Sequence, residues 1–241
     1  MQYSTFAAID IGSYDVILEI FEISKKQGIR SVDKICHRME LGKDTYTLGK
    51  IRPEMEEELC RVLADFVRIM EGYRVDDYRA AASSAISEAS NSLYVLGKIH
   101  QLTGLSVTVL SNSEQRFLSY KALAAMEDNF NKIIEKGTAI LDLDGGSFQI
   151  SLFDKDALVT TQNIRMGSLR IRERLAGIQS ETEHYEEMVE ELIWNEVSSF
   201  KKMYLKDRKI ENIMLIGDVF TDSVYQNIEE KTTKIISREK L

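Results

Sequence analysis

The sequence predicts an α/β protein whose chain is built twice on one plan. Two observations predict it. An apolar strand that breaks at an acid-and-glycine turn and then resumes occurs at 6–13, FAAIDIGS, and again at 139–147, AILDLDGGS. Between the two copies strand-like and helix-like segments alternate, which is the pattern of parallel βαβ units. A length of 241 residues suits two ordinary domains. No low-complexity linker divides them, so the duplication alone places the boundary near 125–135, with domains expected at 1–127 and 128–241.

The elements follow in order. TFAAIDI (5–11) is an apolar strand that ends at Gly12-Ser13, and VILEIFEI (16–23) alternates as a second strand should. A turn at 27–30 leads to a third strand, SVDKICHRMEL (31–41), which makes three antiparallel strands. Pro53, the chain's single proline, stands where a helix should begin, and Leu59, Val62, Leu63, Phe66, Val67 and Met70 follow at helical spacing to Tyr73. Acidic residues in its first turn complement the helix dipole. A small-residue strand (78–85), a helix from Glu88 to Leu102 stopped by Thr103-Gly104, and the strand SVTVLS (106–111) come next. NSEQ supplies N-cap residues for a helix from Ser113 to about Phe130. The second copy of the strand–turn–strand plan runs from 138 to 167. A helix near Ser168–Leu175, an amphipathic helix from about Glu181 to Leu205, the strand NIMLIG (212–217) and a polar tail complete the chain.

Composition excludes several functions. A formal net charge of −8 argues against a nucleic-acid binder, which relies on clustered cations. No stretch approaches the ~18 apolar residues of a membrane span, and the N-terminus lacks the basic and apolar regions of a signal peptide. Cys36 and Cys60 have no metal-ligand spacing and read as incidental thiols, which fits a reducing, cytoplasmic setting. His37, His100 and His184 are scattered and read as surface or packing residues. Glu181, Glu183, Glu186, Glu187, Glu190 and Glu191 make an acidic helix face that reads as solvated.

The two turns carry the chemistry. Glycine lets backbone N–H groups approach phosphate oxygens closely, serine adds a donor, and an aspartate at a strand end can hold a hydrated divalent cation. Each turn alone is equally an ordinary hairpin. The pair favours phosphate or nucleotide binding.

The motifs together resemble the exopolyphosphatase and guanosine pentaphosphate phosphohydrolase (Ppx/GppA) family of the actin-like superfamily. DIGSYD (10–15) is similar to the family's Asp-hydrophobic-Gly-Ser-Asn-Ser, and SSAISEASN (83–91) to Thr-Ser-Ala-hydrophobic-Arg-x-Ala-x-Asn. SNSEQRF (111–117) resembles Ser-Gly-x-Glu-Glu-Ala-Arg, DLDGGSFQ (142–149) resembles Asp-hydrophobic-Gly-Gly-Gly-Ser-Thr-Glu, and MGSLR (166–170) resembles Leu-Gly-x-x-Arg. The resemblance implies two ribonuclease H-like halves around a cleft, the second shortened, and lacking the C-terminal helical region of longer members. It implies hydrolysis of a phosphoanhydride in polyphosphate or guanosine pentaphosphate, with Mg2+ held through Asp10 and Asp142. Phosphate contacts would come from Gly12, Ser13, Ser87, Gly145, Gly146 and Ser147.

The chain departs from the pattern where the chemistry is expected. The family's catalytic base matches Gln115, and the glutamate of its fourth element matches Gln149. An amide can hold a water but does not accept its proton near neutral pH, and general-base help is typically worth 10²–10⁴-fold. Ser87 stands where an arginine would meet phosphate, which removes a charge-assisted fork. Tyr14-Asp15 replaces Asn-Ser, and the late Gly-x-Ser-Gly-Thr element is reduced to GDVFT (217–221). Arg165 and Arg170 offer positive charge after the second turn, whereas Glu19 and Asp144 read as solvated carboxylates.

Three expectations result. The first is a weakened or inactive member that still binds phosphate or nucleotide. The second is an active magnesium-dependent exopolyphosphatase in which Glu114 supplies the base, although a one-residue shift on a helix turns a side chain by ~100°. The third is an interaction protein that has kept only the scaffold, with partners at the cleft or along an exposed helix; a homodimer is a separate expectation.

Overall fold

The computed structural model describes residues 3–126, 129–177, 184–205, 208–217 and 234–237. By contact density the chain divides into two units, Met1–Gln115 and Arg116–Leu241.

In the first unit, β1 (Ser4–Ile11), β2 (Asp15–Ser24) and β3 (Gly28–Arg38) form the antiparallel run that the alternation predicts. Register explains why it is stable. Ala7 lies opposite Ile20, Ile9 opposite Leu18 and Ile11 opposite Val16, so every buried residue of β1 meets a buried residue of β2 on one face of the sheet. Two helices, α1 (Leu41–Leu48) and α2 (Pro53–Gly72), follow. Pro53 takes the first position of α2, and Leu59, Leu63, Phe66 and Met70 turn one stripe of it into the core. β4 (Asp77–Ala82) and β5 (Val107–Val109) then join parallel to β1, giving the order β3-β2-β1-β4-β5.

Local chemistry shortens or divides several expected elements. β4 stops at Ala82 because Ser83 begins a helical turn: its carbonyl accepts the N–H of Ile86 at 3.1 Å and of Ser87 at 3.0 Å. The end of the expected 78–85 strand is therefore a separate short helix, α3 (Ser84–Ser87), and the helix expected from Glu88 begins only at Ser92, as α4 (Ser92–Thr103), with Gly104 capping it in the left-handed conformation. The helix α1 had no sequence signature. It is short and glycine- and threonine-bearing, and tertiary bonds hold it: Gly42 N–H to Ser13 O at 2.9 Å and Thr45 Oγ1 to Ala85 O at 2.6 Å. Buried Asp44 accepts Arg52 N–H at 3.0 Å and Nε at 2.9 Å.

The second unit repeats the plan. The expected 113–130 helix is α5 (Asn112–Met126) followed by a separate α6 (Phe130–Ile134). β6 (Thr138–Leu143), β7 (Phe148–Asp154) and β8 (Ala157–Ile164) are antiparallel, α7 (Ser168–Leu175) and α8 (Tyr185–Tyr204) follow, and β9 (Asn212–Ile216) lies parallel to β6. β7 is buried on both faces because both are covered, one by apolar side chains throughout and the other carrying buried Gln149 and Ser151 as well as Phe153. Ile150 and Leu152 pack with Phe200 of α8, while Phe153 packs edge-on against Tyr120 at 5.2 Å between ring centres. The tail holds a further strand, β10 (Lys234–Ser237), antiparallel to β9, so the order is β10-β9-β6-β7-β8. This matches the first sheet position by position, except that the last strand runs the other way. Both sheets have the ribonuclease H-like order, and the fold is actin-like. The start of the acidic helix, 181–183, lies outside the described residues, as does 218–221 of the late glycine element. Among the described residues no helix is long and apolar enough to cross a membrane.

Asn91 closes the first unit's helical layer. Its Oδ1 accepts Ile51 N–H at 3.0 Å and its Nδ2 donates to Ile51 O at 2.8 Å, which satisfies both backbone groups of a buried residue. Asn91→Ala is expected to cost about 1–3 kcal/mol, read as a lower urea midpoint with an unchanged slope.

Candidate phosphate loops at the ends of β1 and β6

Both turns are two-residue connections closed in the same way. Gly12 N–H donates to Asp15 O at 2.9 Å, and Asp144 N–H donates to Ser147 O at 3.0 Å. Ser13-Tyr14 and Gly145-Gly146 are thus structural equivalents. Asp10 and Asp142 are each the next-to-last residue of the strand before the turn. The duplication read in the sequence therefore extends to a shared hydrogen bond.

In the second unit the loop leans on α7 through its carbonyls. Asp144 O accepts Ser168 N–H at 3.2 Å, Gly145 O accepts Leu169 and Arg170 N–H at 3.1 Å each, and Gly146 O accepts Arg170 Nε at 2.9 Å. These bonds satisfy N–H groups that a helix start leaves open. They also fix the opposite side of the loop. In a trans peptide the C=O and the following N–H point opposite ways, so the N–H groups of Gly145, Gly146 and Ser147 are turned away from α7. Three successive N–H groups on one side form an anion-binding concavity.

Glycines set how closely the loop is approached. A Cβ on Gly167 would overlap the backbone of Asp144 and Gly145. One on Gly217, whose φ is +119°, would overlap the backbone of Leu143. Both lie in motifs quoted from the sequence, yet their role was not legible there, because each depends on a segment far along the chain.

Beside the loop a polar row crosses the sheet. Asp142 of β6 pairs with Gln149 of β7, and Gln149 pairs with Asn163 of β8. Direct cross-strand neighbours have their Cβ atoms about 4.5–5.5 Å apart, so a carboxylate and two amides stand side by side. Gln149 is buried, Asp142 half-buried, and Asn163 Nδ2 reaches Ser147 Oγ at 3.3 Å. Asn163 escaped the sequence reading because strand pairing alone places it there. One row further, Tyr120 OH donates to buried Ser151, which lies 3.1 Å from Thr161 Oγ1, and burial is the leading cause that raises the Tyr120 phenol above its usual range.

The first unit gathers Asp10, Gly12 and Ser13 at the end of β1. Asp10 is exposed and Ser13 buried. Ser13 Oγ lies 2.6 Å from Tyr46 OH and 3.4 Å from Ser84 Oγ, so α1 and α3 both reach the turn. Ser87 is exposed at the last position of α3.

Glu114 and Gln115 open α5. Glu114 Oε2 accepts Ser111 N–H at 2.8 Å and Ser111 Oγ at 2.7 Å, while Ser111 Oγ accepts Glu114 N–H at 3.3 Å. This is a reciprocal capping box. The Ser111 backbone N–H first, and then its hydroxyl, hold the Glu114 carboxyl below the ordinary carboxylate range. Gln115, the next residue, is half-buried.

Among the described residues no group of three or more His, Cys, Asp or Glu side chains could form a metal cage. Asp10 and Asp142 are each a single carboxylate at a strand end, one in each unit, and each taken by itself is a donor that fits a hydrated Mg2+ whose other positions are filled by phosphate and water.

The sheet order, the duplicated loops and the aspartate ahead of each define an actin-like protein with two equivalent strand–turn loops. The Ppx/GppA phosphatase family model matches residues 19–241, and the chain belongs to that family. It is 22% identical over 238 residues to the bifunctional 3-dehydroquinate synthase/phosphatase of Fusobacterium nucleatum, covering 93% of this chain and 34% of that protein. It is 25% identical over 144 residues to exopolyphosphatase 1 of Mycobacterium leprae, covering 59% of this chain and 41% of the relative. The crystal structure of an exopolyphosphatase from Cytophaga hutchinsonii superposes with a TM-score of 0.75 at 19% identity, over 89% of this chain and 66% of that one. The chain thus spans well under half the length of these curated relatives.

Two outcomes are expected from this geometry. Gly167→Ala should push the loop off α7 and lower stability by about 1–3 kcal/mol, measured by thermal melting. Because the Glu114 carboxyl is depressed in the folded state, its contribution is present above the unfolded carboxylate value of about 4.3 and is lost as pH falls through the lower folded value. The melting-temperature advantage of wild type over Glu114→Gln should therefore be full at pH 6 and vanish in strong acid.

Proposed function

We propose that this chain is a phosphoanhydride-binding member of the Ppx/GppA family whose hydrolytic step is weakened or lost. The observation that carries the reading is the buried amide of Gln149 directly across from Asp142, where the family resemblance places a glutamate, next to a loop whose N–H groups remain turned toward one side. Binding and proton transfer are separable functions of such a site. Backbone N–H groups and the Ser147 hydroxyl can take phosphate oxygens without any base. Deprotonating an attacking water needs an acceptor that glutamine does not supply.

Each residue then has a role. Gly145, Gly146 and Ser147 in one unit, and Gly12 and Ser13 in the other, contact phosphate. Asp10 in one unit and Asp142 in the other would each offer a carboxylate to Mg2+, which supplies charge neutralisation on the phosphates when bound. Gln149 and Gln115 would each be able to orient a water and leave its proton in place. Ser87, which lacks the charge of arginine, adds at most a neutral hydrogen bond. Glu114 is a poor substitute base, since the bonds that hold it at Ser111 also lower its basicity. Substrates of this class are polyphosphate or guanosine pentaphosphate. Similarity to a bifunctional synthase/phosphatase and to an exopolyphosphatase supports phosphatase chemistry of this class.

The test measures phosphate release from long-chain polyphosphate and guanosine pentaphosphate with Mg2+, and binding of both by calorimetry. Wild type should bind yet release phosphate near background. Gln115→Glu with Gln149→Glu should raise the rate by about 10²-fold or more. A wild type that is active, with Glu114→Gln abolishing the activity, would overturn the reading and make Glu114 the base. Absence of any binding would overturn it in favour of a scaffold.

A further inference from the structure

The hydroxyls of Ser13, Tyr46 and Ser84 meet at the end of β1. Tyr46 OH lies 2.6 Å from Ser13 Oγ and 2.8 Å from Ser84 Oγ, and the two serine oxygens are 3.4 Å apart. Each hydroxyl can donate once and accept, so the three can close a ring of hydrogen bonds. Ser13 and Ser84 both belong to the motifs that carry the family resemblance. Tyr46 belongs to none, and α1, which bears it, had no sequence signature.

The phenol oxygen is not needed to dock α1. That helix is already fixed by Gly42 N–H on Ser13 O, by Thr45 on Ala85 O, by Asp44 on Arg52, and by the N–H groups of Met39 and Glu40 on Tyr14 O. Leu41, Gly42, Asp44 and Thr45 are buried, whereas Tyr46 is only half-buried. Its hydroxyl sits at distances from two serine hydroxyls that suit an O–H···O bond to an anion as well as to a phenol.

We propose that the Tyr46 hydroxyl is an internal occupant of an anion-oxygen position between Ser13 and Ser84, so that a phosphate group reaches the first loop only by displacing it. The inference rests on the reading above that this loop takes phosphate, and adds that its affinity is held down from within. The partly exposed ring gives Tyr46 a direction in which to withdraw. A phosphate oxygen is charged and makes stronger bonds to the same two hydroxyls than a neutral phenol does, so the exchange is favourable once ligand is present. Removing the phenol oxygen and keeping the ring should leave both serines aimed at a gap one oxygen wide.

Calorimetry with tripolyphosphate and Mg2+ tests this on wild type, Tyr46→Phe, Tyr46→Leu, Ser84→Ala and the Tyr46→Phe/Ser84→Ala double variant, each first shown to melt cooperatively. Tyr46→Phe should bind about five- to tenfold tighter, the equivalent of one net hydrogen bond. Tyr46→Leu, which also lacks the oxygen, should gain in the same direction. Ser84→Ala in the Tyr46→Phe background should cancel the gain, since one of the two receiving hydroxyls is then missing. Equal or weaker binding by Tyr46→Phe, or a gain that survives Ser84→Ala, overturns the internal occupant and leaves phosphate binding standing. No binding by wild type and by every variant overturns both.

Discussion

At the end of β6, the carbonyls of Asp144, Gly145 and Gly146 accept hydrogen bonds from the first turn of α7 and from Arg170. A buried loop cannot leave those carbonyls unpaired, and a helix start cannot leave its first N–H groups unpaired, so each satisfies the other. The rest of the second site depends on this exchange. It turns three N–H groups to the far side of the loop and requires glycine at 167, where a side chain would separate loop from helix. Gly217 meets a similar demand at the end of β9, against Leu143.

The same turn in the first unit has a different setting. Its closure is matched bond for bond, but Ser13-Tyr14 stands where Gly145-Gly146 stands in the second, and the segment 39–42 and α1 support it in place of an α7 equivalent. There the loop carbonyls of Ser13 and Tyr14 are taken by Gly42, Met39 and Glu40. The side chain of Ser13 is drawn into a hydroxyl cluster and is not held by an amide, as Ser147 is by Asn163. Duplicated topology therefore carries two loops of unequal chemistry.

The row Asp142, Gln149, Asn163 also has an energetic logic. A glutamate at 149 would face Asp142 across the ladder with its carboxylate largely out of water, and like charges at that range oppose one another's ionisation. Such repulsion is what a catalytic site tolerates in order to raise a carboxylate's basicity. Glutamine removes it while keeping the shape and hydrogen-bonding capacity of the side chain. On the function proposed above, the exchange would trade a proton acceptor for a strand pair free of like-charge repulsion, a form of the usual tension between activity and stability.

Much of this was legible in the sequence because it is local. Alternation fixed the faces of β1 and β2, Pro53 and the apolar stripe fixed α2, Gly104 ended α4, and the repeated Asp–glycine turns announced the duplication and both loops. Ser111 and Glu114 form a capping box whose spacing is visible in the chain, but the reading there weighed Glu114 as a base. What the sequence could not determine was every feature made by residues far apart along it. α1 exists because Ser13, Ala85 and Arg52 hold it, which no periodicity within 41–48 encodes. Asn163 enters the site through strand register, Gly167 and Gly217 through close approach of distant backbone, and Tyr46 through a helix that only tertiary bonds create. Local propensity and pattern act over a few residues and survive in the sequence as spacing; contacts between segments depend on where folding brings them, and only the tertiary structure decides that.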